Sequence, residues 1–550
     1  MHNFRKVLVL KILLLMMMQK EVLAAPSGPP NPNSDAGVIL KHEQEILKNE
    51  KLLKDFKEEK TKLREGIKSE SPSQTQKKEE EELSFKVSTF KIDESEILSQ
   101  VEIENIIRQY IGKEKKLEDL YQVVNKINGL YEEKGFIVCR AVLPSQTIKN
   151  GEIEIKLIEG KTGEVQLKGN TSTKESYIRN RITLPEGEIS NFKKLNKELI
   201  WFNATNDAQI RVEMQAGKKI KTTDYILNVY EPKKNQLTIF GDNFGSKNTG
   251  EYRTGISYVN NSLTGHRDQF LISGIKTLGT QSVGLYYSFP VTKRGGHLNF
   301  QYSTGKIKII NGDLKDLEVR GKSSNYGFGF TQPLLVTEKR KIEASMDWSK
   351  QKSSTDIIGI KWVRDEISKV NFSLSMTSYG ENQILYTKHN FSKGNVKFLN
   401  GKNKDFKKYS MLLMYQKAFA NKTTFSTKLD AQYSFSDYLP SAEQFYAGGT
   451  YSVRGYRESF MGADKGISIS NEFSMPLGNY GDTFLFFDAA SFHGKNTLKK
   501  NKIYGIGLGY KKSFEKGTAI SASIGFPLVK KIDNLEVDSY RLHITINHQF

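Results

Sequence analysis

The second half of the chain alternates between apolar and polar positions. Tyr540, Leu542, Ile544, Ile546 and Phe550 are interleaved with Arg541, His543, Thr545, Asn547 and Gln549. Tyr504, Ile506, Leu508 and Tyr510 are interleaved with three glycines, and Ile520, Ala522, Ile524 and Phe526 with Ser521, Ser523 and Gly525. Val283, Leu285, Tyr287 and Phe289 repeat the pattern with polar or small partners. A period of two is that of a strand with one apolar face. An apolar face backed by a polar or small one is what a barrel wall in a membrane requires, with lipid on one side and water on the other. Aromatics gather at the segment ends, where interfacial girdles form. Four segments stop at a proline: Phe289-Pro290, Gln332-Pro333, Met475-Pro476 and Phe526-Pro527. Proline cannot donate to a ladder, so each stop is expected at a short turn, with longer Lys-, Asn- and Gly-rich loops between. The stretch 236–550 supplies about 16 strands at roughly 20 residues per strand and loop. A soluble β-sandwich competes with this reading, but the girdle aromatics and a final strand ending on Phe550 argue for the barrel.

The first half has a different texture. Arg5 and Lys6 precede an apolar run, 7–18, broken only by Lys11, and Val22-Leu23-Ala24 offers small residues for cleavage, so residues 1–24 read as an export signal. A linker region, 25–83, follows, Pro-rich at its start and acidic at its end. Inside it, 38–67 predicts a strongly charged helix whose thin apolar stripe is Ile39, Ile46, Leu53, Phe56 and Leu63. That helix is either solvated or seated inside something polar. Two units of similar order come next, at 84–160 and 161–232, each reading β-α-α-β-β. The first predicts a strand at 84–92, helices at 94–111 and 117–134, a helix-ending Gly135, and strands at 136–143 and 152–159 around Asn150-Gly151. The second predicts strands at 163–168, 209–215 and 223–230 with helices near 174–181 and 191–203. The barrel domain is then 233–550.

Composition sharpens this picture at three points. Hydrophobic residues are only 37% and the mean hydropathy is −0.52, which excludes a bundle of membrane helices but suits a barrel, whose strands alternate. The net charge of +20 comes from 82 basic and 62 acidic residues mixed along the whole chain, which favours a solvated surface over a nucleic-acid site. The one cysteine, Cys139, forms no internal disulfide and has no second thiolate for a metal. The eight histidines have no paired-ligand spacing, and neither a Gly-x-Ser-x-Gly elbow nor a phosphate-binding Gly-Lys-Ser/Thr loop occurs. The sequence therefore predicts no enzyme, no metal and no cofactor.

Three motifs carry a resemblance. Gly448-Gly449 precede Val453-Arg454-Gly455-Tyr456 in a long loop, and Phe486-Phe487-Asp488-Ala489-Ala490 lies in a following strand. Asp242-Asn243-Phe244-Gly245-Ser246 and Thr249–Arg253 mark the barrel start. The first unit carries Leu143-Pro144-Ser145-Gln146, then Gly151 and Glu159-Gly160. Together these resemble the two-partner secretion transporters (the TpsB family, FhaC/ShlB/HecB-like) over essentially the whole mature chain, with the two α/β units resembling POTRA modules. The fold so implied is a transmembrane antiparallel β-barrel of about 16 strands in the bacterial outer membrane, preceded by an N-terminal helix and two periplasmic POTRA-like domains.

Strand parity places Asp488 with Phe484, Phe486 and Ala490 on one face; a carboxylate facing lipid is costly, so it should face the lumen. There a guanidinium fork is a fitting partner, and an inward-folded loop could deliver Arg454; the alternative is a solvated loop cation. The resemblance implies this same lock, with Val453, Gly455 and Tyr456 as the loop motif. It departs at Ala490, where the family favours glycine. The resemblance further implies that the helix plugs the pore and that Pro144, Gln146 and Gly151 mark a client-docking region. Asp242, Asn243 and Gly245 would be the barrel-start motif. Phe550 is expected to be the C-terminal signal read by the barrel assembly machinery. The expected partners are outer-membrane lipid and a large exoprotein bound unfolded at free sheet edges, not nucleic acid. An outer-membrane assembly factor of the BamA/TamA type is the competing function.

Overall fold

The computed structural model describes residues 35–61, 84–494, 502–532 and 535–550; the expected export signal, Leu63 and most of the flanking linkers lie outside them. Sixteen antiparallel strands close into a barrel, from Asn235–Asp242 to Arg541–Gln549. Closure pairs Asp242 with Thr545 and Thr238 with Gln549, and the Phe550 N–H adds a bond to the Leu237 carbonyl at 2.9 Å. The period-two pattern becomes two walls. Ile506, Leu508, Leu542 and Ile544 are about half exposed on the outside, whereas Phe484, Phe486 and Asp488 are buried on the inside. Phe484 and Phe486 lie flat over the inner faces of Gly509 and Gly507, which have no side chain to obstruct the rings.

Two of the four proline stops differ from expectation. Pro290 and Pro476 end their strands at the proximal rim, the end nearer the α/β units. Pro333 instead sits inside the strand Arg320–Val336, at a register shift between Pro333 and Leu335, where the ladder does not need its missing N–H. Pro527 ends its strand at the opposite, distal rim, beside the loop 528–540. Distal connections are not uniformly long either. The strands Arg340–Ile357 and Ile360–Tyr379 run 18 and 20 residues and meet in a tight turn, far beyond the roughly 9–11 residues that span a membrane. Here the strands themselves project.

Both α/β units have one topology: the first strand lies parallel to the last, and the middle strand is antiparallel on the last strand's other side. In the first unit the expected strand 84–92 breaks. Ser84–Lys86 pairs with Glu114–Lys116, and Thr89–Ile92 with Glu152–Ile158, because the Ser88 N–H turns to bond the Gly151 carbonyl at 2.8 Å. The helix expected at 94–111 spans only Gln100–Ile107, behind a Ser99/Glu102 capping box. Upstream, the Ser95 hydroxyl accepts from the N–H groups of Ile97 and Leu98 at 3.1 and 2.7 Å, a local turn that competes with helix. The second helix, Leu117–Lys134, ends on Gly135 at φ 88°, as its sequence requires.

The units are fastened in series. The Phe192 N–H donates to the Gly135 carbonyl at 2.7 Å, linking the first unit to the second. The second unit sits on the proximal turns of the barrel, through Trp201 Nε1–H to the Arg294 carbonyl at 2.9 Å and Arg267 to Asp207 at 2.7 Å. The N-terminal helix, Ala36–Thr61, lies inside the barrel. Its 26 residues are about 39 Å long, enough to traverse the lumen. Ala36, Ile39 and Leu40 pack on Ile307, Ile309 and Val319 near the distal rim. At the other end Glu59 accepts from Tyr379 Oη–H at 2.5 Å and pairs with Lys341 at 3.2 Å. A charged helix is stable here because the wall around it is polar.

Candidate functional site

The long loop 435–464 between the strands Thr424–Ser434 and Lys465–Pro476 folds into the barrel and brings Arg454 to the wall. Arg454 Nε and Nη2 donate to the two oxygens of Asp488 at 2.8 and 3.0 Å, and its backbone N–H donates to Oδ2 at 3.0 Å. Nη1 reaches Glu472 at 3.0 Å, and the guanidinium lies 3.6 Å over the Phe486 ring. Ser470 Oγ–H completes the shell of Asp488 at 2.7 Å. Asp488 is fully buried, so its charge is stable only with these donors in place. Val453 and Tyr456 anchor the two sides of Arg454. Val453 is buried against Phe492 and Ile503, while Tyr456 Oη–H donates to the Tyr504 carbonyl at 3.1 Å and accepts from the Val529 N–H at 3.2 Å. Ala490, the departure from the family pattern, is buried in this same apolar cluster, where its methyl has partners.

The bed under the loop is made of glycine. A Cβ on Gly505 would stand 2.0 Å from the Arg454 carbonyl oxygen, and one on Gly525 would stand 2.5 Å from the Gly455 nitrogen. Gly455 itself has φ 98°, a conformation few other residues adopt. Gly505 and Gly525 thus mark where the loop lies against the wall, while Gly507 and Gly509 make room for the Phe486 and Phe484 rings, a division that reading these positions simply as small did not reveal. Gly505→Ala should unseat the loop at an overpacking cost of about 1–3 kcal/mol. Trypsin should spare the buried Arg454 peptide in the wild type and cleave between 450 and 465 in the folded barrel of the variant. Unchanged protection would mean the loop does not rest on this bed.

A second ion-paired site lies four strands along the wall from the first, on the first two strands of the barrel. Asp242 and Arg253 stand directly opposite each other on the first two strands, and Arg253 Nε and Nη2 donate to the carboxylate at 2.7 and 2.8 Å. The remaining Nη1 of Arg253 donates to Glu43 of the lumenal helix at 2.5 Å. All three side chains are buried. Arg253 enters the sequence reading only as the last residue of the barrel-start stretch Thr249–Arg253, with no role of its own, and Glu43 does not enter it. The helix also touches the inward loop. His42 contacts Ser459 at 3.0 Å and Glu458 at 3.4 Å, and Tyr451 Oη–H donates to Glu50 at 3.3 Å.

The other candidate residues have identifiable structural places. Asn243 bridges the barrel seam: its side-chain amide donates to the Leu542 carbonyl and accepts from the Ile544 N–H, both at 2.8 Å, extending the ladder by one step. A Cβ on Gly245 would stand 2.2 Å from the Gly250 carbonyl, so the tight loop after the first strand needs glycine. The exposed Phe550 ring packs edge-on against His548. In the first POTRA-like unit, Gln146 exchanges two bonds with the backbone of Glu154, at 2.7 and 2.9 Å, and so caps part of the central strand rather than leaving it free. It also reaches toward the Pro144 carbonyl at 3.4 Å, and Gly151, at φ 74°, forms the turn beside it. The edge strands are Thr89–Ile92 and Arg140–Val142 in the first unit and Lys161–Lys168 and Gln209–Ala216 in the second; the Asn128 side chain accepts from the Ala141 N–H at 2.7 Å and donates to its carbonyl at 3.3 Å, and so caps the Arg140–Val142 edge. Cys139 is buried, and desolvation pushes its thiol up to about 12, which keeps it protonated and unreactive.

Comparison with known proteins agrees with this architecture. A family model described as haemolysin secretion/activation protein ShlB/FhaC/HecB matches residues 222–512, and one described as POTRA domain, ShlB-type, matches residues 85–160. The heme/hemopexin transporter protein HuxB of Haemophilus influenzae (strain 86-028NP) is 24% identical over 473 residues, 80% of this chain and 83% of that one. Among solved structures, CdiB from Escherichia coli superposes with a TM-score of 0.71 at 17% identity, covering 95% of this chain and 100% of that one. BamA from Haemophilus ducreyi, lacking POTRA domains 1–3, reaches a TM-score of 0.50 at 14% identity, covering 85% of this chain and 100% of that one. At such identities the structural likenesses speak for the fold.

Proposed function

Because the chain belongs to the haemolysin secretion/activation protein family ShlB/FhaC/HecB, it is an outer-membrane transporter of the two-partner type, and we propose that its cargo is one large exoprotein threaded unfolded through the barrel lumen. The POTRA-like units lie in the periplasm. The cargo is an adhesin, a haemolysin or, by likeness to HuxB, an exoprotein concerned with heme or hemopexin. It docks as an added strand on the sheet edges at Thr89–Ile92 and Gln209–Ala216, a mode that uses backbone pairing and tolerates many side chains. The resting pore is occupied by the helix Ala36–Thr61, held by Arg253 and by the inward loop. Arg454 on Asp488 keeps that loop seated. One observation supports this reading above the others: an inward loop tied to the wall by a bidentate, fully buried ion pair beside a lumenal helix. A pore for small solutes needs neither.

The competing assembly-factor reading is less supported. Such factors usually bring more POTRA modules than two and lack the preceding helix. The test is a comparison of culture supernatant and outer membrane with and without this gene. Loss of one large exported protein, with other barrels unchanged, is the expected result, and a chain lacking 84–160 should give the same loss while still inserting. A general fall in outer-membrane barrels would instead establish an assembly factor.

A further inference from the structure

The outer wall carries a pattern that transport does not use. One transverse row across six neighbouring strands reads Thr254, Lys276, Gln281, Lys306, Lys322 and Ser354, each directly opposite the next. The row toward the middle of the wall reads Ile256, Gly274, Val283, Thr304 and Ser324. Below that come Tyr258, Ile272, Leu285, Tyr302 and Tyr326. These rows share strand parity with the exposed outer residues, so all of them face the membrane side. Gly274 and Thr304 are small, and the wall dips there into a groove of about 710 Å³ lined by Ile256, Val283 and the three lysines.

The lysines form an unneutralised cluster. Lys306 and Lys322 are directly opposed, an arrangement in which like charges repel. Among the described residues none of Lys276, Lys306 and Lys322 has an ion-pair partner, whereas Lys350, further along the wall, is paired with Glu366 at 3.6 Å. Adjacent strands are about 4.8 Å apart, so the cluster spans about 14 Å. The distal ends of the last two strands carry outward Phe526 and Leu542 instead, whereas outward lysines continue on the projecting strands at Lys352, Lys393 and Lys397. Cations above an apolar dip match an amphiphile with an anionic head.

We propose that this groove binds a phosphorylated, multiply acylated glycolipid of the outer leaflet, with phosphates on Lys276, Lys306 and Lys322 and an acyl chain in the dip over Gly274. Lysine serves as a point charge for phosphate, and its stem can lie along the apolar wall. The glycolipid neutralises the opposed pair and fills the groove.

The test is titration of the full-length protein, purified in phosphate-free detergent, with bis-phosphorylated lipid A, read by native mass spectrometry. The variant carrying Lys276→Gln, Lys306→Gln and Lys322→Gln should bind at least about tenfold more weakly, as two anchoring phosphate contacts would imply. A control removing equal charge at the proximal rim (Lys417→Gln, Lys422→Gln and Lys516→Gln) should bind like the wild type. Equal weakening in that control, or unchanged binding in the first variant, would overturn the site. Phosphate-free lipid A should bind poorly; if it binds as well, the lysines are irrelevant. Displacement by millimolar inorganic phosphate would mark an anion site and overturn the lipid assignment. Heat-modifiable mobility checks that each variant is folded, and the single change Lys306→Gln replaces the triple one if that fails. Export by the triple variant should remain near wild type, so failure of this proposal leaves the transport reading standing.

Discussion

Arg454→Ala should lower export of the cargo roughly tenfold or more while the barrel still inserts and keeps its heat-modifiable mobility. The change strands Asp488, fully buried, without the two side-chain bonds at 2.8 and 3.0 Å. Breaking one side of a buried pair costs about 3–5 kcal/mol, more than enough to shift the seated loop by about a hundredfold in population. Val453 and Tyr456 remain buried in their own cluster, so the loop is loosened locally and the wall is untouched. Arg454→Lys should recover little. An ammonium cannot reproduce a fork that serves Asp488 and Glu472 together and stacks on Phe486. Replacing both partners by leucine should restore thermal stability but not export, because apolar groups can fill the space without positioning the loop. Export at the wild-type level in Arg454→Ala would remove the role assigned to the pair.

Deleting 36–61 should raise the resting conductance in planar bilayers several-fold and leave export in place. The helix occupies the lumen along its length, from the distal cluster around Ile307 to Lys341 at the proximal end. Glu43→Ala alone should give frequent brief openings rather than a permanently open pore. Arg253 would still hold Asp242 by two bonds, and only the tie to the helix would be lost. Salt should have little influence on this difference, since buried pairs are poorly screened. A deletion that leaves the conductance unchanged would show that the inward loop, not the helix, closes the pore.

Individual elements show how far the sequence could be read. Phe484, Phe486 and Asp488 share a parity, and that parity alone places them on one wall; a carboxylate then chooses the lumen. The glycines alternating with Ile506 and Leu508 are visible as a small face, but not as the bed for Arg454 at Gly505 and for two phenylalanine rings at Gly507 and Gly509, because nothing local says what lies over them. Gln146 stood out through a family motif, and only its bonds to the Glu154 backbone reveal that it completes a ladder. The proline stops failed in half the cases for a simple reason. A proline forbids a ladder bond at its own nitrogen, which a bulge or a strand end at either rim satisfies equally well.

The sequence by itself determined the two faces of the wall strands, the α/β order of the two units and the charged character of the N-terminal helix, though not where the strands of the first unit break. These depend on periodicity and on residues a few positions apart. Tertiary structure decided the barrel seam, the packing of the loop and the partners of the helix. Glu43 meets Arg253 across 210 positions, and His42 meets Ser459 across 417. Such contacts are set by closure of the wall and by which polar groups then face each other inside it. No local pattern encodes that geometry, since each partner is satisfied only once the whole circle of strands is in place.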